Sequence, residues 1–537
     1  MLKLLFYHAA GQPPSNTDRG FNLGVVTLYL KTHIDTHCPD IKDLIEWLIP
    51  IQHETTDDEL VAICNTEKID LLCSSHYIWN HRQLLGQLER IYPRLTNTKI
   101  VAGGPSIDVN IDTSFFKKYP FIDYAVYGAG EHAFASLLES VIHNRKLNVS
   151  DTSNLAWQDQ GHQVVSEFKY VPQTAISPYT SNRQLFSKMI EQETQNGIFL
   201  NDITIPYELT RGCPYSCTFC DWNSGLSNKV TRRKNTYQEE IDFFYDLGLR
   251  HIYLADANVG QYEEDIELVE YFAKKNLENN GNFYLEGNFS KLRKENNLKI
   301  YHTMGRAGLA RRFIISVQDT NLSVLKNIDR PDVGWHEHEK IINELAENYP
   351  DIPAWVQVIQ GLPGQTVETW RNSLALIAKS QVELMPFINE LLPASPAARD
   401  STYQERFKFV YSNSIRLSGG NFYQGIFPES CVSFTKRDFV KMNMITIIYN
   451  TLLTMRFTKN NIDVEALADK LLQTNEVQIL EENLYDNWHN HNNFFFTKTF
   501  APGMPETTPW SACDHVVEIR YNLVNNSHFL NLLEINL

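Results

Sequence analysis

Thr210-Arg-Gly-Cys-Pro-Tyr-Ser-Cys-Thr-Phe-Cys-Asp-Trp222 holds three cysteines, Cys213, Cys217 and Cys220, spaced C-x3-C-x2-C, with Phe219 just before the last. Three thiolates crowded on one tight turn suit iron, because soft sulfur donors favour iron–sulfur clusters. Such a trio can ligate three irons of a 4Fe-4S cluster and leave the fourth open to a substrate or cofactor. Structural zinc is the alternative, but zinc sites usually pair C-x2-C knuckles at a distance. The remaining cysteines, Cys38, Cys64, Cys73, Cys431 and Cys513, form no second knuckle. A disulfide framework fits poorly: eight cysteines in 537 residues are sparse, and two of the three in the loop are badly placed to bridge.

Working outward, the composition is that of a globular chain, 43% hydrophobic and 12% aromatic, long enough for two to four domains. The net charge of −16 argues against general affinity for nucleic acid or anionic lipid. No uninterrupted apolar stretch is long enough to predict a membrane span. The apolar start Met1-Leu-Lys-Leu-Leu-Phe-Tyr-His8 is too short for a signal peptide and reads as a first strand. Sparse cysteines and an oxygen-labile cluster both point to a reducing compartment, so a cytoplasmic location is expected.

Residues 1–150 alternate strand-like segments (2–7, 69–74, 99–102, 124–127) with helical ones (23–33, 82–92, 132–144), the pattern of an open parallel α/β sheet. Two strands run into glycine turns, Gly103-Gly104-Pro105 and Gly128-Ala-Gly-Glu131, at the edge where parallel sheets bind ligands. Residues 151–198 are polar and turn-rich and read as a linker. Over 199–400 the alternation resumes, with strands at 203–209, 251–255, 283–286, 312–317, 355–360 and 385–391. Helices are expected at 237–247, 263–276, 291–304, 335–347 and 367–379. Six β/α units predict an open, partial (β/α)6 TIM-like barrel, with the cysteine loop after its first strand, at the face where barrels keep their chemistry. Residues 401–537 read as mainly helical, for example 437–455 and 464–472. His489 and His491 are weak candidates for a metal pair, since neighbouring carboxylate or thiol ligands are lacking.

The cysteine motif, together with the motifs that follow, resembles that of the radical S-adenosylmethionine (radical SAM) enzymes over roughly residues 1–455. In that family the open iron chelates the amino and carboxylate groups of SAM. Ala255-Asp256-Ala257-Asn258 ends the second barrel strand, where the family holds the SAM amino group, which implicates Asp256 and Asn258; helix capping is the plain alternative for Asp256. Ser316-Val-Gln318 resembles the polar positions that touch the SAM ribose or carboxylate, and Ile359-Gln-Gly361-Leu-Pro-Gly364 the adenine-binding segment. Phe219 would lie against the adenine too. The basic run Lys229-Val-Thr-Arg232-Arg233-Lys234 reads either as a partner for anionic groups or as a solvated rim.

An α/β domain of this size ahead of such a barrel resembles the Rossmann-like cobalamin-binding domain of the largest radical SAM subclass. The resemblance rests on Ser74-Ser75-His76-Tyr77-Ile-Trp-Asn80, which would face the lower side of the corrin. It rests also on Gly103, Gly104, Pro105, Gly128, Gly130 and Glu131, which would line the nucleotide tail. The Asp-x-His-x-x-Gly motif that supplies a cobalt ligand elsewhere is absent; His76 reads either as a cobalt ligand or, the favoured reading, as a packed or hydrogen-bonded side chain. The family implies a 4Fe-4S cluster, SAM and cobalamin, a 5′-deoxyadenosyl radical, and transfer of a methyl group to an unactivated carbon of a small molecule. It also implies an electron donor such as flavodoxin or ferredoxin. Ring cyclisation or rearrangement, and a sensor without turnover, are the competing readings.

Overall fold

The computed structural model describes residues 1–9, 21–159, 162–172, 175–222, 229–233, 237–278, 281, 283–418, 421–458 and 463–486. Lys234, His489, His491 and Cys513 lie outside them. The chain opens with β1 (Leu2–Tyr7), β2 (Phe21–Asn22), β3 (Ile45–Trp47), β4 (Leu71–Ser75), β5 (Lys99–Gly103) and β6 (Tyr124–Val126). Consecutive β1 side chains alternate between two cores: Leu4 and Phe6 join one, Leu5 and Tyr7 the other. Val101 and Ile100 do the same in β5, so helices cover the sheet on both faces, as the apolar runs of parallel strands require.

The sheet order is β3-β1-β4-β5-β6-β7-β8, parallel through β6. β7 (Leu155–Asp159) and β8 (His162–Val165) then add an antiparallel edge. These strands, and the helix Arg183–Gln195, come from the stretch that composition reads as a linker. Its polar turn residues mask short elements whose partners lie on the first sheet.

Six more parallel strands follow: β9 (Ile203–Tyr207), then, after β10 (Thr210–Arg211) and β11 (Thr231–Arg232), β12 (His251–Val259), β13 (Tyr284–Phe289), β14 (Phe313–Gln318), β15 (Ala354–Gln360) and β16 (Val382–Ile388). They form two sheets, β13-β12-β9-β2 and β14-β15-β16, in chain order. At the seam, the Leu285 amide donates to the Leu309 carbonyl at 2.9 Å. The edge position beside β9 is taken by β2, where Phe21 and Asn22 pair with Ile203 and Thr204. The N-terminal segment therefore shares a ladder with the second sheet.

Beyond residue 400 the chain is not purely helical: β17 (Val410–Ser418) and β18 (Asn421–Ser430) form a hairpin before the helix Lys436–Thr458. That helix is apolar on most sides, with Val440, Ile445, Ile448 and Leu452 all buried in the core that β9 and β15 share. It is fixed by Trp370, whose indole N–H donates to Thr446 Oγ1 at 2.9 Å. Among the described residues no helix is long and apolar enough to cross a membrane.

Candidate active site

β9 ends just before the cysteine loop, and two contacts make the chain turn there. Asp256, inside β12 and three residues before its end, accepts the Leu209 and Thr210 amides at 2.8 and 2.9 Å. Gly212 then takes φ +97°, a left-handed conformation that glycine adopts without strain, and Cys213 follows. β10 pairs with β11 and closes the loop into a clasp. Thr218 secures its middle, donating its amide to the Ile328 carbonyl at 3.0 Å and accepting from the Ala397 amide at 2.9 Å.

Cys213, Cys217 and Cys220 share one wall of a cavity of about 600 Å³. Among the described residues each sulfur meets one donor: Asn258 Nδ2 lies 3.1 Å from Cys213 Sγ, Lys291 Nζ 3.1 Å from Cys217 Sγ, and the Trp222 amide 3.5 Å from Cys220 Sγ. Donors aimed at sulfur favour the thiolate over the thiol, as metal ligation needs. Burial pushes the free Cys220 thiol up to about 12, a cost that a bound metal ion reverses by taking the thiolate. Described cavity-lining residues include Lys291, Arg330 and Arg399 but no Asp or Glu, in a chain of net charge −16.

Opposite the cysteines, β14 bulges against β15 between Ser316 and Gln318, and Gln318 sits at φ +70°. Both side chains face the cavity. Gln318 Oε1 and Arg330 Nε are buried and make no hydrogen bond among the described residues. Arg330 is held from behind by the Ser316 carbonyl and by Asp332, whose Oδ1 lies 2.8 Å from His338 Nε2. An unmet donor and an unmet acceptor on residues lining the cavity of the three thiols fit a ligand carrying both polarities, as the amino-acid end or ribose of SAM does. Phe219 and Ile359 line the same space and supply an apolar face.

Of the other expected SAM residues, three are placed elsewhere. Asn258 lines the cavity, but Asp256 does not: it is 5% exposed, spends both oxygens on backbone amides, and burial pushes it up to about 7. It braces the loop, neither capping a helix nor offering an acceptor to an ammonium. Gly361 and Gly364 turn away from the cavity. A Cβ on Gly361 would come within 2.7 Å of Phe439, and one on Gly364 within 2.6 Å of Asn327. Their turn is stapled by Gln365, which accepts from the Gly361 and Leu362 amides. Arg232 and Arg233 are struts rather than a rim, paired with Asp265 and Glu240 at 2.6 and 2.5 Å.

In the first sheet, both His76 nitrogens are engaged, Nε2 with Ser74 Oγ at 2.9 Å and Nδ1 with His81 at 3.2 Å, so the imidazole has none to spare for cobalt. Ser75 Oγ meets His8 at 3.0 Å, and Tyr77 stacks on Trp79 at 4.7 Å. A Cβ on Gly104 would strike the His76 carbonyl, so Gly103-Gly104-Pro105 packs under that loop. Gly128 packs on Phe168, and Gly130 precedes the helix Glu131–Ile142, where Glu131 pairs with Arg211. Sequence reasoning passes over Lys291, Arg211 and Arg330; Lys291 and Arg211 lie just beyond the ends of β13 and β9, whereas Arg330 follows the short helix Leu322–Asn327 after β14.

Residues 207–377 match the family model of the Radical SAM superfamily. The chain is similar to the cobalamin-dependent radical SAM methyltransferase TokK of Streptomyces tokunonensis, 26% identical over 330 residues, 61% of this chain and 48% of that protein. It is equally similar to the 2-(S-pantetheinyl)-carbapenam-3-carboxylate methyltransferase of Streptantibioticus cattleyicolor, 26% identical over 334 residues, 61% of this chain and 48% of that one. It thus spans about half the length of these curated relatives. In fold it is similar to the cobalamin-dependent S-adenosylmethionine radical enzyme OxsB with aqua-cobalamin and S-adenosylmethionine bound. That likeness has a TM-score of 0.58 and 15% identity over 99% of this chain and 83% of that one. The methyltransferase TsrM of Kitasatospora setae follows, with a TM-score of 0.54 and 13% identity over 74% of this chain and 77% of that one.

Proposed function

We propose that the chain belongs to the B12-binding branch of the radical SAM superfamily and is a cobalamin-dependent radical SAM methyltransferase acting on a small molecule. The observation that carries this reading is the cysteine trio on one cavity wall, each sulfur with its own donor, facing the unmet Gln318 and Arg330 atoms. We take residues 199–400 as the open (β/α)6 barrel, residues 1–150 as the Rossmann-like cobalamin side, 151–198 as the connection and 401–537 as the region closing the mouth.

When bound, a 4Fe-4S cluster, SAM and cobalamin would supply reductive radical formation and methyl transfer, chemistry that belongs to the cofactors. The chain's part is to hold and orient them. Cys213, Cys217 and Cys220 would ligate the cluster, with Asn258, Lys291 and the Trp222 amide on its sulfurs. Gln318, Arg330 and Ser316 would hold the polar part of SAM, with Phe219 and Ile359 against its base. His76 is spent on Ser74 and His81, so it gives cobalt no ligand. The mainly apolar remainder of the cavity would exclude water from a reactive carbon centre. A small molecule suits a cavity of about 600 Å³ that already has to admit SAM. A flavodoxin- or ferredoxin-class protein would deliver the electron. The test is anaerobic incubation with SAM, cobalamin and a reductant: 5′-deoxyadenosine together with S-adenosylhomocysteine supports methyl transfer, and 5′-deoxyadenosine alone favours cyclisation or rearrangement.

A further inference from the structure

Lys291 is a buried ammonium, 7% exposed. Among the described residues its contacts are Cys217 Sγ at 3.1 Å and the face of Tyr215 at 4.2 Å, and no carboxylate lies within ion-pair reach. Burying a cation without an anion is costly, so the site is complete only when a negative charge is supplied. Tyr215 lies inside the cysteine loop, so both contacts hold the charge against the same turn. Asn258 and the Trp222 amide serve the other two sulfurs with neutral donors. Among the described residues the charge therefore sits on one sulfur only.

We infer that Lys291 sets the reduction potential of the cluster by fixing a buried positive charge on the Cys217 sulfur. The inference rests on the cluster reading above. Reduction adds one electron, from a low-potential external donor, to a cluster whose three thiolates already make it anionic; no bond breaks and no proton moves. A nearby cation stabilises the more negative product, and hydrogen bonds to the sulfurs act in the same sense. Removing the charge should make the cluster harder to reduce, by tenfold or more in the reduction equilibrium, about 59 mV for one electron.

The experiment is an EPR-monitored redox titration of anaerobically reconstituted full chain without SAM, comparing native protein with Lys291→Met and Lys291→Arg. Iron and sulfide are assayed on each sample. Native iron content in both variants, with a lower potential in Lys291→Met and a near-native one in Lys291→Arg, is the expected result. Loss of iron in Lys291→Met but not in Lys291→Arg would also support the inference, because the thiolate would then need the charge to be held at all. A Lys291→Met cluster with unchanged potential overturns it, as does loss of iron from both variants, which would make Lys291 a packing residue. Native protein that binds no iron would instead overturn the cluster reading itself.

Discussion

Arg211 Nη1 lies 2.6 Å from Glu131 Oε1, joining the residue two before the first loop cysteine to the start of the helix Glu131–Ile142 on the first sheet. Glu208 shares the guanidinium at 3.0 Å, and Tyr29 lies 5.7 Å from it with its ring. The pair therefore fixes the cluster loop against the sheet on which cobalamin is proposed to bind. Burial alone would push Glu131 up, and Arg211 overrides it, holding the carboxyl below the usual glutamate range.

The sign of its pH dependence follows. A carboxyl depressed in the folded state contributes stability above its unfolded value and loses it as pH falls through the folded one. Glu131→Gln should therefore lower the urea midpoint at neutral pH, and the gap to native protein should close in acid below the ordinary glutamate range. Arg211→Met, which leaves Glu131 and Glu208 facing each other, should cost more, about 3–5 kcal/mol. Chemical denaturation at several pH values checks both.

Asp256→Ala should loosen the cluster loop without touching the cavity. Two backbone amides lose their acceptor, at about 1–3 kcal/mol each. The expected result is slower cluster assembly and faster iron loss to a chelator, with SAM affinity of the loaded fraction near native. Chelator-chase kinetics and equilibrium dialysis separate the two effects.

Arg330→Gln and Gln318→Ala should do the converse. Iron content should hold, while SAM binding weakens by about tenfold or more, since each roughly 1.4 kcal/mol of lost pairing is a factor of ten. The SAM-induced change in the EPR signal of the reduced cluster provides the readout.

Gly361→Ala tests the adenine-binding role expected of the glycine segment. Gly361 holds φ +88°, and its added Cβ would press on Phe439 and Pro428. The substitution should destabilise the fold by about 1–3 kcal/mol and leave SAM affinity unchanged in the folded protein. A thermal melt and a SAM titration read the two outcomes.

The β/α alternation was legible because the parallel strands after residue 200 are short apolar runs ended by turns, and the helices Tyr237–Asp246, Trp335–Asn348 and Val367–Ala378 keep helical spacing. The cysteine trio was legible for a different reason, since three cysteines on one loop are brought together by local sequence alone. What escaped depends on distance along the chain. Lys291 reaches a sulfur 74 residues away, and Arg211 a carboxylate 80 residues away. Phe21 and Asn22 pair with a strand near residue 203, and nothing in so short a segment announces it. Asp256 was found as a polar residue at a strand end, but only its geometry shows that the backbone had already claimed both oxygens. Gly361 and Gly364 read as a nucleotide turn because a packed glycine and a ligand-facing glycine look alike in one sequence.

Everything turns on whether the loop cysteines hold an iron–sulfur cluster. The most direct measurement is iron, sulfide and zinc content after anaerobic reconstitution, for native protein and for the Cys213→Ala, Cys217→Ala, Cys220→Ala triple variant. The account predicts about four iron and four sulfide per native chain and almost none in the variant. Zinc in place of iron, or iron and sulfide that persist without the three thiols, would contradict it.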